Sequence, residues 1–147
     1  CDLATPLKAI CRDVYGFSDA QLWGPSEMRN EIDPRWGFSP REALQKLGTE
    51  WGRALHPDTW VRACLRECAK VERAVIADAR FRNELQAVRD AGGVIVRLKR
   101  GLDASRSSHA SEAEQTTIPD AFFDFVIDNR LATVAELQAM ALGVVDG

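Results

Sequence analysis

Ala74-Val75-Ile76-Ala77-Asp78-Ala79-Arg80-Phe81-Arg82-Asn83-Glu84 is the stretch whose reading decides the fold. Val75 and Ile76 form a short β-branched run, which suits a strand covered on both faces. The segment from Arg73 to Asp78 is therefore expected to be the first clear strand, followed by a helix from Phe81 to Ala91 carried by Leu85, Val88 and Ala91. In an open α/β sheet, ligands bind outside the carboxyl ends of the strands. Asp78 and Arg80 lie at that edge, where a carboxylate and a guanidinium suit a ligand bearing phosphate or metal. The same pair also reads as an Asp capping the next helix and an Arg bonded to a neighbour.

Downstream, Gly92-Gly93 is a helix end and turn that leads into a second strand over Val94 to Leu98. A third strand is expected from Phe122 to Asp128, with Phe123, Phe125 and Ile127 on one face. Between them lies a long irregular segment, 97–114, with Arg97, Lys99, Arg100 and Arg106, a serine cluster and His109. Long loops carrying arginines inside α/β domains commonly act as active-site lids; a plain surface loop is the alternative. Thr133 with Glu136 forms a capping box at the start of a last helix.

Upstream, Thr5 and Pro6 open a helix through Leu7, Ile10, Cys11 and Val14, and Gly16 closes it. Ser18 caps a short helical turn that Gly24-Pro25 stops. Residues 26–37 are polar and irregular, with Arg29 and Arg35 flanked by Trp23 and Trp36, and read as a surface loop or a mobile flap. Ser39-Pro40-Arg41-Glu42 is a strong helix start. Arg41, Gln45, Thr49 and Arg53 follow at intervals of four, on a slowly rotating face without balancing acids. Such a face is ordinarily solvated, but Gln45 and Thr49 could also read a base edge. His56-Pro57-Asp58-Thr59 breaks this helix and starts another through Trp60, Val61, Cys64, Leu65 and Cys68, with His56 read as a helix-terminal residue in preference to a catalytic base.

Composition bounds the rest. A chain of 147 residues with 46% hydrophobic and 28% charged residues fits one domain with a real core. A formal net charge of -3 argues against a general nucleic-acid binder. No apolar run is long enough to span a bilayer and no signal peptide is visible, so a cytosolic protein is expected. Cys1, Cys11, Cys64 and Cys68 form no disulfide framework and have no histidine cluster beside them. They read as small reduced thiols, not as zinc ligands.

The order helices, strand, helix, strand, lid-like loop, strand, helix indicates an α/β fold: a three-layer parallel sheet with helices on both faces. No internal repeat or second domain is expected.

Several segments in collinear order resemble one family, the deoxynucleoside monophosphate kinases common in tailed bacteriophages, a branch of the P-loop nucleotide kinases. They include Pro6-Leu7-Lys8, Tyr15-Gly16-Phe17-Ser18, Gln21-Leu22-Trp23-Gly24, Ser39-Pro40-Arg41, Leu47-Gly48-Thr49-Glu50, Gly52-Arg53, His56-Pro57-Asp58, Asp78-Ala79-Arg80-Phe81 and His109-Ala110-Ser111-Glu112. The resemblance implies transfer of a phosphoryl group from ATP, with magnesium, to a deoxynucleoside monophosphate, chiefly by positioning and charge. It places Arg41 and Arg53 on the acceptor phosphate and Gln45 or Thr49 near the base. Trp51 or Trp60 becomes a pocket wall, and Asp78 and Arg80 organise phosphates where acceptor and donor meet. Arg97, Lys99, Arg100 and Arg106 belong to the lid over ATP. The expected setting is a phage-infected bacterial cytosol.

One departure matters. Such enzymes begin with a strand and a Gly-rich loop ending in Gly-Lys-Ser/Thr, and the chain opens where that βα unit, of about 30 residues, ends. A second lies after Asn129, where Arg130-Leu131 replaces an acidic-Gly pair. As written, the chain is expected to have little or no kinase activity. Three readings follow: a kinase whose first βα unit precedes this sequence, a nucleotide sponge or decoy natively lacking the P-loop, or an interaction module on the same fold. A chain natively lacking that strand needs a partner, a homodimeric swap or another strand order to cover the exposed edge. An in-frame P-loop upstream identifies the kinase; a start codon beside Cys1 excludes it.

Overall fold

The computed structural model describes residues 1–99, 115, 117–130 and 133–145. The fold is mixed α/β: mostly helices, with a small parallel sheet. The chain divides into two compact units, Cys1–Ala79 and Arg80–Gly147.

The amino-terminal unit is helical. Helix α1 (Thr5–Tyr15) ends at Gly16, whose φ of 66° is the left-handed conformation that glycine adopts without steric cost. Helix α2 (Asp19–Trp23) starts with a capping box formed by Ser18 and Gln21. Helix α3 (Ser26–Asn30) follows. The segment read as a loop or flap is thus partly helical, and it closes in a tight turn bridged between Asp33 and Phe38. Helix α4 (Pro40–Gln45) begins as its sequence dictates, with the Ser39 hydroxyl accepting from the Glu42 amide at 3.2 Å. Its continuation, Lys46–Arg53, widens into a π-helix, and helix α5 (Thr59–Cys68) comes next. The core joins Cys11, Phe17, Leu22 and Ala43, with Tyr15, Phe38, Leu44 and Leu47 packed against them.

Two expectations fail in this unit. Thr5 does not cap α1: Ala4 occupies that position, and its amide is taken by the Asp2 carboxylate at 2.8 Å. Arg73–Asp78 is not a strand. Residues 74–80 have no ladder partner among the described residues, and Val75 is 74% exposed. A strand exists through its ladder and its buried face, and a two-residue apolar run supplies neither alone. Local order comes instead from Asp78, whose carboxylate accepts the amides of Leu3 (3.0 Å) and Ala4 (3.2 Å).

In the carboxyl-terminal unit, helix α6 (Arg82–Asp90) leads to strand β1 (Val96–Lys99). A 3-10 turn (Asp120–Phe122) precedes strand β2 (Phe125–Asp128), and helix α7 (Val134–Val145) closes the described chain. The two strands are parallel, with Val96 opposite Phe125 and Leu98 opposite Ile127. Both expected strands are present in shortened form, and the parallel direction is as read. Ile127 is buried as expected, whereas Phe125 is 43% exposed. The capping box of α7 forms as read: Glu136 accepts the Thr133 amide at 2.7 Å and donates its own amide to the Thr133 hydroxyl at 3.3 Å. Of the lid-like segment 97–114, only Arg97 to Lys99 is described, within β1; Arg100 and Arg106 lie outside the described residues.

Candidate functional site

The π-helix borders a concave feature of the amino-terminal unit. Gly52 lies against the Trp60 indole so closely that an added Cβ would stand 2.2 Å from the ring. The indole N–H donates to the Gly48 carbonyl at 2.8 Å, and the Thr59 hydroxyl donates to the Gly52 carbonyl at 2.9 Å. Side chains from the start of α5 thus enter the main-chain ladder, a recognised cause of helix distortion. π-turns are frequent at functional sites. Arg53 donates to the Pro57 carbonyl at 3.1 Å, and the His56 ring nitrogen accepts the Asp58 amide at 3.0 Å, a helix-terminal role as read.

Beside this turn is a hollow of about 330 Å³, within the range of small-molecule sites. Tyr15, Phe38 and Trp51 give it aromatic walls, and Glu42, Lys46 and Glu50 stand at intervals of four along one side. Tyr15 meets Phe38 edge-on with ring centres 5.4 Å apart. Lys46 pairs with Glu42 at 2.9 Å, and the two carboxylates, Glu42 foremost, hold its ammonium above the usual lysine range. The rim thus alternates acid, base, acid. Behind the hollow the turn is pinned by Asp33, which is buried. Its carboxylate accepts from Arg35 (2.9 and 2.7 Å) and Gln21 (3.0 Å), and these bonds, Arg35 first, hold it well below the usual carboxylate range.

The residues singled out from the sequence distribute unevenly. Trp51 lines the hollow. Arg41, Gln45 and Thr49 are exposed and not among its lining residues. Trp60 is only 7% exposed and braces the π-helix from within. Tyr15, Phe38, Glu42, Lys46 and Glu50 were not singled out. The i, i+4 spacing of Glu42, Lys46 and Glu50 is a readable signal; Phe38, next to a turn, carries none.

Asp78 is half-buried and engages the start of α1. Burial foremost, then a hydrogen bond shared with Asp2, pushes its carboxyl up to about 6, against the pull of the Leu3 and Ala4 amides. Asp2 moves the other way: despite burial, its bonds with Asp78, the Ala4 amide and Lys8 lower it. Of the two carboxyls, Asp78 is therefore the weaker acid. The thiols of Cys1, Cys64 and Cys68 gather nearby in the sequence-distant sense, with sulfurs all within 4.8 Å of one another. All four cysteines are free. Burial first, and then Cys68, pushes the Cys64 thiol up to about 12, and burial pushes the Cys11 thiol up to about 11.

In the carboxyl-terminal unit Arg80 is exposed, and its amide and that of Phe81 donate to the buried Glu84 carboxylate at 2.9 and 3.0 Å. Arg97 pairs with Asp120 at 2.8 Å, donates to the Gln115 carbonyl at 2.7 Å, and lies over the Phe123 ring at 4.1 Å. Lys99 shares Asp120. Arg89 donates to the Phe122 carbonyl at 2.6 Å and pairs with Asp124, which accepts the Ile95 amide at 2.7 Å.

Among known proteins, the chain is 31% identical over 159 aligned residues to a protein of Acanthamoeba polyphaga mimivirus named "Putative deoxynucleotide monophosphate kinase". The alignment spans 97% of this chain and 80% of that protein. No protein-family profile matches the sequence, and no solved structure matches it.

Proposed function

The chain belongs to the deoxynucleotide monophosphate kinase family, and from that premise we propose that its amino-terminal unit binds a deoxynucleoside monophosphate as phosphoryl acceptor. The observation that carries the proposal is the aromatic hollow beside the π-helix. A nucleobase presents a flat apolar face with polar edges. Tyr15, Phe38 and Trp51 offer the face its partners, and Glu42, Lys46 and Glu50 offer acceptors and a donor for the edges. Base stacking on an aromatic side chain contributes about 1–3 kcal/mol. Arg41 and Arg53, assigned to the acceptor phosphate by family resemblance, are carried on α4 and the π-helix that also supply the hollow's lining. Gln45 and Thr49 are exposed and outside the hollow's lining, and their approach to the base rests on family resemblance alone; Trp60 acts through the shape it imposes on the π-helix.

ATP with magnesium is proposed as donor on family grounds, supplying the phosphoryl group and neutralising its charge. The described residues do not assemble a cradle for it. The oxygens of Asp78 take the Leu3 and Ala4 amides, and Asp120 holds Arg97 and Lys99. No Gly-rich loop ending in Gly-Lys-Ser/Thr occurs in the 147 residues. The proposal for Asp78 is positional: it holds the start of α1, while Arg80 presents an exposed guanidinium. The P-loop-type three-layer sheet belongs to the same proposal, with the parallel β1–β2 pair as part of it.

Titration of the 147-residue chain with each of the four deoxynucleoside monophosphates, by calorimetry and tryptophan fluorescence, tests the reading. Saturable binding to at least one, weakened by Trp51→Ala, is expected. No heat and no fluorescence change with any of them removes the acceptor assignment.

A further inference from the structure

Three of the four cysteines converge although 63 positions separate Cys1 from Cys64 (64 − 1). Cys64 and Cys68 stand four apart on α5, so both project from one face, as paired metal ligands do on helices. Cys1 reaches that face from the segment before α1, and the three sulfurs lie within 4.8 Å of one another. Cys11 provides the contrast: it is fully buried in the apolar core beside Phe17 and Leu22, as a packing thiol should be. The cluster is graded differently, with Cys64 buried, Cys68 half-buried and Cys1 exposed, so one side meets solvent.

We propose that Cys1, Cys64 and Cys68 form a thiolate site for a thiophilic divalent cation of the zinc class. Zinc–thiolate bonds of about 2.3 Å place tetrahedral sulfurs roughly 3.8 Å apart, so the cluster closes around the ion by small side-chain adjustments. On binding, each of the three S–H bonds breaks, its proton goes to solvent, and the sulfur lone pair forms a metal–sulfur bond; no electron changes hands. The fourth position falls on the exposed side and takes water or a small ligand. Asp78 is not counted as a ligand, because its oxygens already accept the Leu3 and Ala4 amides. The site is separate from the aromatic hollow and needs no nucleotide.

The test uses the 147-residue chain, reduced and stripped with a chelator, titrated with Co2+ and then Zn2+. One Co2+ per chain with thiolate-to-cobalt charge-transfer and tetrahedral d–d bands is expected, bleached as Zn2+ displaces it. Cys1→Ser and Cys68→Ser should each weaken Zn2+ binding by roughly 100-fold or more, and Cys11→Ser should leave it unchanged. Circular dichroism confirms folding of the variants, and exposed Cys1 provides one whose replacement leaves the core intact. Absence of cobalt–thiolate bands overturns the proposal, and so do bands of full intensity and unchanged affinity in either the Cys1 or the Cys68 variant.

Discussion

The hollow beside the π-helix and the strand pair β1–β2 treat their charged residues in opposite ways. Around the strands, cations hold the chain together. Arg97 and Lys99 share Asp120, while Arg89 joins Asp124 and the Phe122 carbonyl, and Asp124 in turn takes the Ile95 amide. Around the hollow, packing sets the shape and charge is left at the rim. Trp60 presses on Gly52 and bonds Gly48, and the Arg41 guanidinium makes no hydrogen bond to another described residue. An arginine near a sheet edge is therefore no guarantee of a phosphate ligand: Arg97 and Arg89 are already paired with carboxylates.

The contrast can be broken in several places. The largest effect is expected at Gly52→Ala, whose new methyl would meet the Trp60 ring at 2.2 Å. Overpacking of this kind costs about 1–3 kcal/mol, and the upper end is expected in urea unfolding. Gly48→Ala, where the added Cβ meets Leu7 at 3.4 Å, should be neutral or stabilising by up to about 1 kcal/mol. Equal losses at both glycines would show that packing on Trp60 does not shape the turn.

Next come the binding variants. Trp51→Ala should weaken deoxynucleoside monophosphate binding by about 1–3 kcal/mol. Arg41→Ala and Arg53→Ala should each weaken it by about 1.5–3 kcal/mol. Arg97→Ala, whose guanidinium Asp120 already holds, should leave acceptor affinity unchanged. Calorimetry that finds Arg97 as sensitive as Arg41 would erase the distinction between the two regions.

A smaller effect is expected from pH. The Asp78 carboxyl is raised from 3.8 to about 6 in the folded chain. Below the lower value both folded and unfolded chains are protonated, and its contribution is fully favourable. As pH rises from about 4 to about 6 the unfolded chain ionises first, so stability falls, then levels off. Asp33, lowered in the folded chain, has the opposite sign: its contribution is present above the ordinary carboxylate range and lost in stronger acid. Asp78→Asn keeps an oxygen for one of the Leu3 and Ala4 amides, sets a donor against the other, and, having no ionisable carboxyl, should flatten the decline between pH 4 and 6, as read from unfolding midpoints. A curve unchanged by Asp78→Asn assigns that decline to another group. The smallest effect is local: Asp124→Asn should speed hydrogen exchange at the Ile95 amide without altering nucleotide binding.

Local signals in the sequence were legible where a side chain and a nearby amide suffice. Ser39, Ser18, Thr133 with Glu136, and Gly16 mark helix ends as read, because each acts within a few residues of itself. The β-branched Val96 and Val126–Ile127 found strands because their segments had each other as ladder partners. Val75-Ile76 carried the same signal and had none among the described residues. The i, i+4 face of Arg41, Gln45, Thr49 and Arg53 is not the one that lines the hollow; lining falls to the face one residue over, Glu42, Lys46 and Glu50, with Trp51.

Asp78, from which the reading of the chain began, divides what each level decided. Sequence alone established the helical punctuation, the parallel α/β character and, through collinear resemblance, a kinase family that the mimivirus relative supports. Those depend on local propensity and on residues read in order. Only tertiary structure decided that Asp78 turns back to the amides of Leu3 and Ala4, that Trp60 widens a helix across Gly52, and that Cys1 meets Cys64 and Cys68. Each of these joins groups separated along the chain, and their proximity depends on how the intervening elements pack, which no local pattern encodes.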